Sequence, residues 1–232
     1  MGLNKNGMEL PAALLAAALA ALTGCATDYY GMVPPPPASA QPALPRTALF
    51  EAIAAANLQA VKDLTQKGVP ADARNEQGEP PLYVAAESGN VDIVQVLLDN
   101  KAEPDARTTN AETALHAAAL QGNPAVVALL LERGAQANAR NKDGETPLMW
   151  AALTGTVRVV KLLVDEGVPM NTPDAKGNTP LHAAAASGHA EVVAYFLSKR
   201  AATHLRNHAG QTPLDAARAE KRDEVAKLLG GK

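Results

Sequence analysis

From Pro45 onward the apolar residues fall into pairs of short clusters. In TPLHAAAASGH, Thr179 to His189, Leu181, Ala184 and Ala185 recur at three- and four-residue spacing, which predicts one apolar face of a short helix. Thr179 supplies an N-cap hydroxyl, and Pro180 follows at the first helical position, where its missing N–H costs nothing. Gly188-His189 breaks the pattern. A second helix is predicted over EVVAYFL, Glu191 to Leu197, which turns Val192, Val193, Phe196 and Leu197 toward the same core. Thr146-Pro147 opens an equivalent pair.

The same letters return at a fixed interval. GEPPLYVAAESGN starts at Gly78, AETALHAAALQGN at Ala111, GETPLMWAALTGT at Gly144, GNTPLHAAAASGH at Gly177 and GQTPLDAARAEKR at Gly210, each 33 residues after the one before. One step further back, PRTALFEAIAAANLQAVKDLTQKG falls into register from Pro45. Each unit alone buries too little to fold, so stability must come from neighbouring interfaces.

This period and the T-P-L-H-x-A letters resemble the ankyrin repeat family, from Pro45 to Lys232. The resemblance implies an all-α repeat solenoid of helix-turn-helix units with projecting β-hairpin turns. Six units are expected in a curved stack, at 45–77, 78–110, 111–143, 144–176, 177–209 and 210–232. The outer two act as polar caps, through Lys62, Asp63, Gln66 and Lys67 in the first and ARAEKRDEVAKLLGGK in the last. Gly68, Gly134 and Gly167 end second helices, but Lys101 and Arg200 replace that glycine, at a cost on the order of 1 kcal/mol each. Pro80 replaces the capping threonine, so the units starting at Gly78 and ending at Arg200 are expected to be softer.

The first 44 residues read differently. A short polar start precedes an uncharged apolar run from Pro11 to Leu22, too short to span the roughly 30 Å hydrocarbon core and suited to a signal peptide over 1–24. Lys5 is partly offset by Glu9, and Met8 is an alternative start. LTGC, Leu22 to Cys25, resembles the lipobox of bacterial lipoproteins. That resemblance implies cleavage before Cys25, lipid on its sulfur and an acyl chain on the new amino terminus. The family's sorting rule, with Ala26 where aspartate would retain the protein at the inner membrane, implies the outer membrane and a periplasmic face. A soluble periplasmic protein cut near Ala26 is the alternative. Residues 25–44 form a proline-rich spacer, and a polyproline ligand for another domain is a second reading of it.

Composition narrows the function. A net charge of -3 and a pI near 6.0 lack the basic stripe of a nucleic-acid binder. Hydrophobic residues make up 47 % but aromatics only 3 %, so the core is alanine, leucine and valine, which suits closely packed helices. The single cysteine excludes an intrachain disulfide. The position of His182 is held by Tyr83, His116, Met149 and Asp215 elsewhere, and residues so unlike in acid–base chemistry cannot share a catalytic duty. The family resemblance implies that this histidine bonds between adjacent hairpin turns. His189 falls in the interhelical turn, aligned with Asn90, Asn123 and Thr156. No triad, metal-ligand spacing or phosphate loop is present in the sequence, so neither enzyme activity nor a cofactor is expected.

The resemblance instead implies protein binding through the hairpin tips and the exposed side of each first helix. Matching positions include Gln77, Lys142 and Asp143 in the turns, and Glu87, Leu120, Leu153 and Thr154 on the helices. Arg74, Arg107 and Arg140 precede Glu79, Glu112 and Glu145 by five residues, which predicts cross-hairpin ion pairs that would use up the acidic charge of those turns. Leu120 and Leu153 are apolar at groove-facing positions. Trp150, the only tryptophan, is either a partner anchor or a filler between first helices. The expected partner is another protein of the periplasm or envelope, held by a monomer as an adaptor. An inhibitor or immunity protein that blocks a toxin or hydrolase, or a structural element of the envelope, are the alternatives.

Overall fold

A computed structural model describes residues 46–230. The expected signal peptide, Cys25, the expected spacer and Pro45 lie outside the described residues, as do the last two. Twelve helices form six pairs: α1 (Arg46–Ala54) with α2 (Leu58–Gln66), α3 (Pro81–Ser88) with α4 (Val91–Asp99), and α5 (Ala114–Gln121) with α6 (Pro124–Glu132). The rest are α7 (Pro147–Thr154) with α8 (Val157–Asp165), α9 (Pro180–Ser187) with α10 (Ala190–Ser198), and α11 (Pro213–Ala219) with α12 (Asp223–Gly230). The expected all-helical solenoid of six units is present.

Several helices start at a side-chain cap. Thr146 Oγ1 accepts from Met149 N–H at 3.3 Å, and Asn90 Oδ1 from Ile93 N–H at 3.1 Å. Pro80 offers no such bond, so α3 begins without a side-chain cap. First helices pack in one row and second helices in another, the first row more closely. The cause is side-chain size. Ala85, Ala118, Ala151 and Ala184 are fully or almost fully buried in the first row, where the second row buries Val94, Leu130, Leu163 and Phe196. Small residues on one side and large ones on the other let the first helices approach more closely than the second. The core runs unbroken from Leu49 to Val225, and each fully buried leucine stabilises it by about 1.5–3 kcal/mol.

The projecting turns hold a hairpin shape with no β-strand among the described residues. In the turn before α3, Asn75 N–H donates to Glu79 O at 3.1 Å while Asn75 Oδ1 accepts from the N–H groups of Gln77 and Glu79. Thr108, Asn141, Asp174 and Asn207 close their turns with the equivalent backbone bond.

Three positions in a unit require positive φ: the hairpin turn, the interhelical turn and the end of the second helix. Non-glycine residues occupy them at Ala56, Lys101, Ala111, Arg200 and Lys221, with φ from 51 to 66°. The replacements at Lys101 and Arg200 are therefore strained as the sequence predicts. At Gly155, φ is 79° and a Cβ would lie 2.3 Å from His189 Nδ1 of the next unit, so glycine is required twice over.

Candidate functional site

The hairpin tips and the first-helix row border one groove, and two ladders of hydrogen bonds hold its edges. Along the tips, Lys142 N–H donates to Asn110 O at 2.9 Å, Ala175 N–H to Asp143 O at 2.7 Å and His208 N–H to Lys176 O at 2.9 Å. The recurring arginines reinforce this edge, and here the structure corrects the expected ion pairs. Arg74 Nη1 donates to Gly78 O and to Arg107 O; Arg107 Nη1 to Ala111 O and, at 3.0 Å, to Arg140 O; Arg140 Nη2 to Pro173 O at 2.8 Å. Each guanidinium reaches forward to the carbonyl of the following turn instead of across to its own glutamate. The main-chain oxygen is already oriented by the turn, whereas closing on a flexible glutamate would cost side-chain entropy.

The glutamates bond to neutral donors. Glu79 accepts from Asn75 Nδ2 at 2.7 Å, Glu112 from Thr108 Oγ1 at 3.0 Å and Tyr83 Oη at 3.3 Å, and Glu145 from Asn141 Nδ2 at 2.9 Å. None forms an ion pair among the described residues. Their negative charge therefore stays on the groove side. It is visible at Tyr83, whose phenol pKa is raised first by burial and then by the nearby charges of Glu112 and Glu87.

The histidine column joins units as expected. His116 and His182 are 0 % and 2 % exposed. His116 Nδ1 accepts from Thr113 N–H at 3.1 Å, which puts the ring proton on Nε2 and aims it at Glu145 O, 3.2 Å away. His182 repeats this with Thr179 N–H at 3.1 Å and Gln211 O at 3.0 Å. Burial lowers the pKa of both, to about 4 for His116. Asp215, in the final unit, accepts at its own helix start from Thr212 N–H at 3.0 Å and Thr212 Oγ1 at 2.8 Å, and pairs with Arg206 Nη1 at 3.6 Å.

The groove deepens beside Trp150. Its indole meets the His116 ring edge-on, with centroids 5.3 Å apart, and Nε1 donates to Glu145 Oε2 at 2.8 Å. The filler reading of Trp150 matches its packing against His116 of the preceding first helix, while the half-buried ring also borders the groove. Leu153 continues that wall at 50 % exposure, and Leu120 projects one unit earlier at 40 %. Beyond the wall, Ala183, Ala186, Ala216 and Ala219 leave a hollow of about 280 Å³. Glu145, Asp174 and Glu220 lie on its border with Lys176.

The other sequence candidates distribute unevenly. Lys142 and Asp143 are exposed at the adjoining tip, and Glu87 is exposed on α3. Thr154 is half-buried and turns its hydroxyl back toward Trp150 O and Ala151 O, at 3.3 and 3.2 Å. Gln77 belongs to a separate hollow near Phe50 at the N-terminal end. Cys25 lies outside the described residues. Sequence reasoning overlooked the alanine hollow and a further ladder at the interhelical turns. There Asn123 Nδ2 donates to Gly89 O at 2.9 Å, His189 Nε2 bonds to Leu153 O at 2.8 Å and Arg222 Nε donates to Ala186 O at 3.0 Å. The available signal was a column of donors, Asn57, Asn90, Asn123, Thr156, His189 and Arg222, at the repeat interval.

Among the described residues no three His, Cys, Asp or Glu side chains are placed to hold a metal ion, and no helix is long and apolar enough to cross a membrane. An open groove with apolar walls, carried by stacked helix pairs, defines a solenoid protein-interaction scaffold. The chain belongs to the ankyrin repeat family: the family model described as ankyrin repeats (3 copies) matches residues 19–108, 100–174 and 155–232. No curated protein matches the chain as a relative.

Proposed function

We propose that the chain is a lipid-anchored adaptor that faces the periplasm from the outer membrane and holds another exported protein in its groove. The observation that carries the binding role is the apolar wall of half-buried Trp150 and exposed Leu153, with Leu120 exposed one unit earlier. Large side chains that a partner can desolvate are where binding energy concentrates. Support for the anchor comes from LTGC and Cys25, with the proline-rich 25–44 segment as spacer.

The two parts are tested separately. Cys25→Ala should release the protein from membranes and abolish fatty-acid labelling; membrane pelleting and labelling that persist would end the anchor reading. Trp150→Ala with Leu153→Ser should weaken capture of a partner from envelope extracts while leaving helical circular dichroism intact. Full-strength capture would move the site off this wall.

A further inference from the structure

We infer that the hollow beside Trp150 receives a partner segment with one large aliphatic or aromatic side chain flanked by lysine or arginine. The inference rests on the reading of the groove as a protein-binding surface, and adds the chemistry of what enters it.

Size and polarity come from the walls. The floor is alanine at Ala183, Ala186, Ala216 and Ala219, whereas the preceding unit places Trp150 and Leu153 at the aligned positions. A large side chain followed by small ones at the same register makes a step, and the step is the hollow. Its volume of about 280 Å³ admits one large side chain with its flanking backbone. Such a side chain would cover the half-exposed Leu153 and the outer edge of the indole, removing apolar surface from water on both partners.

Charge comes from the rim. Glu145 accepts from Trp150 Nε1 and Asn141 Nδ2, both neutral donors. Asp174 accepts from the N–H groups of Lys176 and Asn178 at 2.8 and 2.7 Å and from Asn178 Nδ2 at 3.1 Å. Glu220 is exposed on the far side. None of these carboxylates is in an ion pair among the described residues, and Lys176 is the only cation bordering the hollow. Glu112, Glu79 and Glu87 extend the negative charge along the groove toward its N-terminal half. The recurring arginines direct their hydrogen bonds to turn carbonyls, so none closes on a groove carboxylate. A basic flank satisfies this field, and an acidic flank is repelled by it.

The single tryptophan makes the site its own reporter. Short acetylated and amidated peptides are titrated into the protein, with intrinsic fluorescence and calorimetry read in parallel so that a silent indole does not hide binding. One has a central leucine-phenylalanine pair flanked by lysines; a second has glutamates in place of the lysines; a third has central alanines between lysines. Binding of the first, with the other two at least tenfold weaker, is the expected result. Glu145→Gln with Glu220→Gln should weaken the first peptide about three- to tenfold, as should a rise in salt from ~0.05 to ~0.5 M. Glu220→Gln alone, at an exposed site, supplies a smaller loss in the same direction if the double variant folds poorly.

Equal or tighter binding of the glutamate peptide overturns the inference, as does lysine-peptide binding that the carboxamide variants leave unchanged. A fluorescence change with phosphatidylglycerol vesicles that exceeds the peptide response overturns it in favour of a membrane surface. If no peptide binds, yet Trp150→Ala with Leu153→Ser still abolishes partner capture, the basic-segment chemistry falls and the protein-binding groove stands. If capture survives that double variant as well, both fall.

Discussion

Replacing His116 with methionine, the residue its neighbour Met149 supplies at the aligned position, should remove a large part of the protein's sensitivity to mild acid. Buried and bonded to Thr113 N–H and Glu145 O, His116 stays neutral down to a pKa of about 4, against 6.5 when exposed. Because the folded state resists a proton that the unfolded chain accepts, the associated stability is complete above pH 6.5 and is lost as pH falls toward 4. At pH 5 the proton-binding polynomial of the unfolded imidazole exceeds that of the folded one about 30-fold, which costs about 2 kcal/mol; below pH 4 the loss approaches about 3 kcal/mol. His182 shifts in the same direction and adds to the effect. His116→Met also leaves the Thr113 N–H without a partner, while the Glu145 carbonyl keeps its bond from Asn141 N–H, so stability falls at every pH by about 1–3 kcal/mol. The informative quantity is therefore a difference of differences: urea unfolding at pH 7.5 and pH 5 for both proteins, with carboxylate titrations common to both cancelling. Wild type should lose about 2 kcal/mol more than the variant between the two pH values. Equal losses would falsify the neutral, inter-unit histidine.

Three further outcomes follow from the packing. A double-mutant cycle of Arg107→Ala with Glu112→Ala, read by urea unfolding, should give a coupling below about 0.3 kcal/mol, because Arg107 bonds to carbonyls and Glu112 to Thr108 and Tyr83; a coupling near 1 kcal/mol would restore the ion pair. Gly155→Ala should destabilise by roughly 1–3 kcal/mol more than Gly167→Ala, since both have φ near 80° but only Gly155 is met by His189; equal thermal melts would mean that the close approach is immaterial. Lys101→Gly should raise stability by about 1 kcal/mol by relieving a φ of 66°, and a lower melting temperature would contradict the strain.

The helices and their order were legible because every unit states the same pattern, so a weak local signal is repeated six times in one register. Thr146, Thr179 and Gly188 could be read as cap and stop from chemistry alone. Partnerships between units were harder. The recurrence of Arg74, Arg107 and Arg140 showed that these side chains had a shared duty, but not its direction. A glutamate five residues on and a carbonyl 33 residues on are equally compatible with that recurrence, and only the stacked turns decide for the carbonyl. His189 was passed over for a related reason: asparagine, histidine and arginine look like free variation in a turn until their common acceptor, the end of the preceding unit's first helix, is seen. Trp150 and Leu153 stood out by size. The hollow they face did not, because alanines carry little signal in a chain so rich in them.

The distribution of left-handed residues has a consequence for how the molecule comes apart. Among the described residues, the unit from Gly144 to Lys176 is the one with glycine at all three positive-φ positions, Gly144, Gly155 and Gly167. The outermost interhelical turns instead place Ala56 and Lys221 there. On warming, the rod will therefore fray from both tips inward, and the tryptophan-bearing segment will be the last to melt. Because Ala216, Ala219 and Glu220 of the last unit line the hollow, capture through it will fail while the tryptophan-bearing segment is still folded.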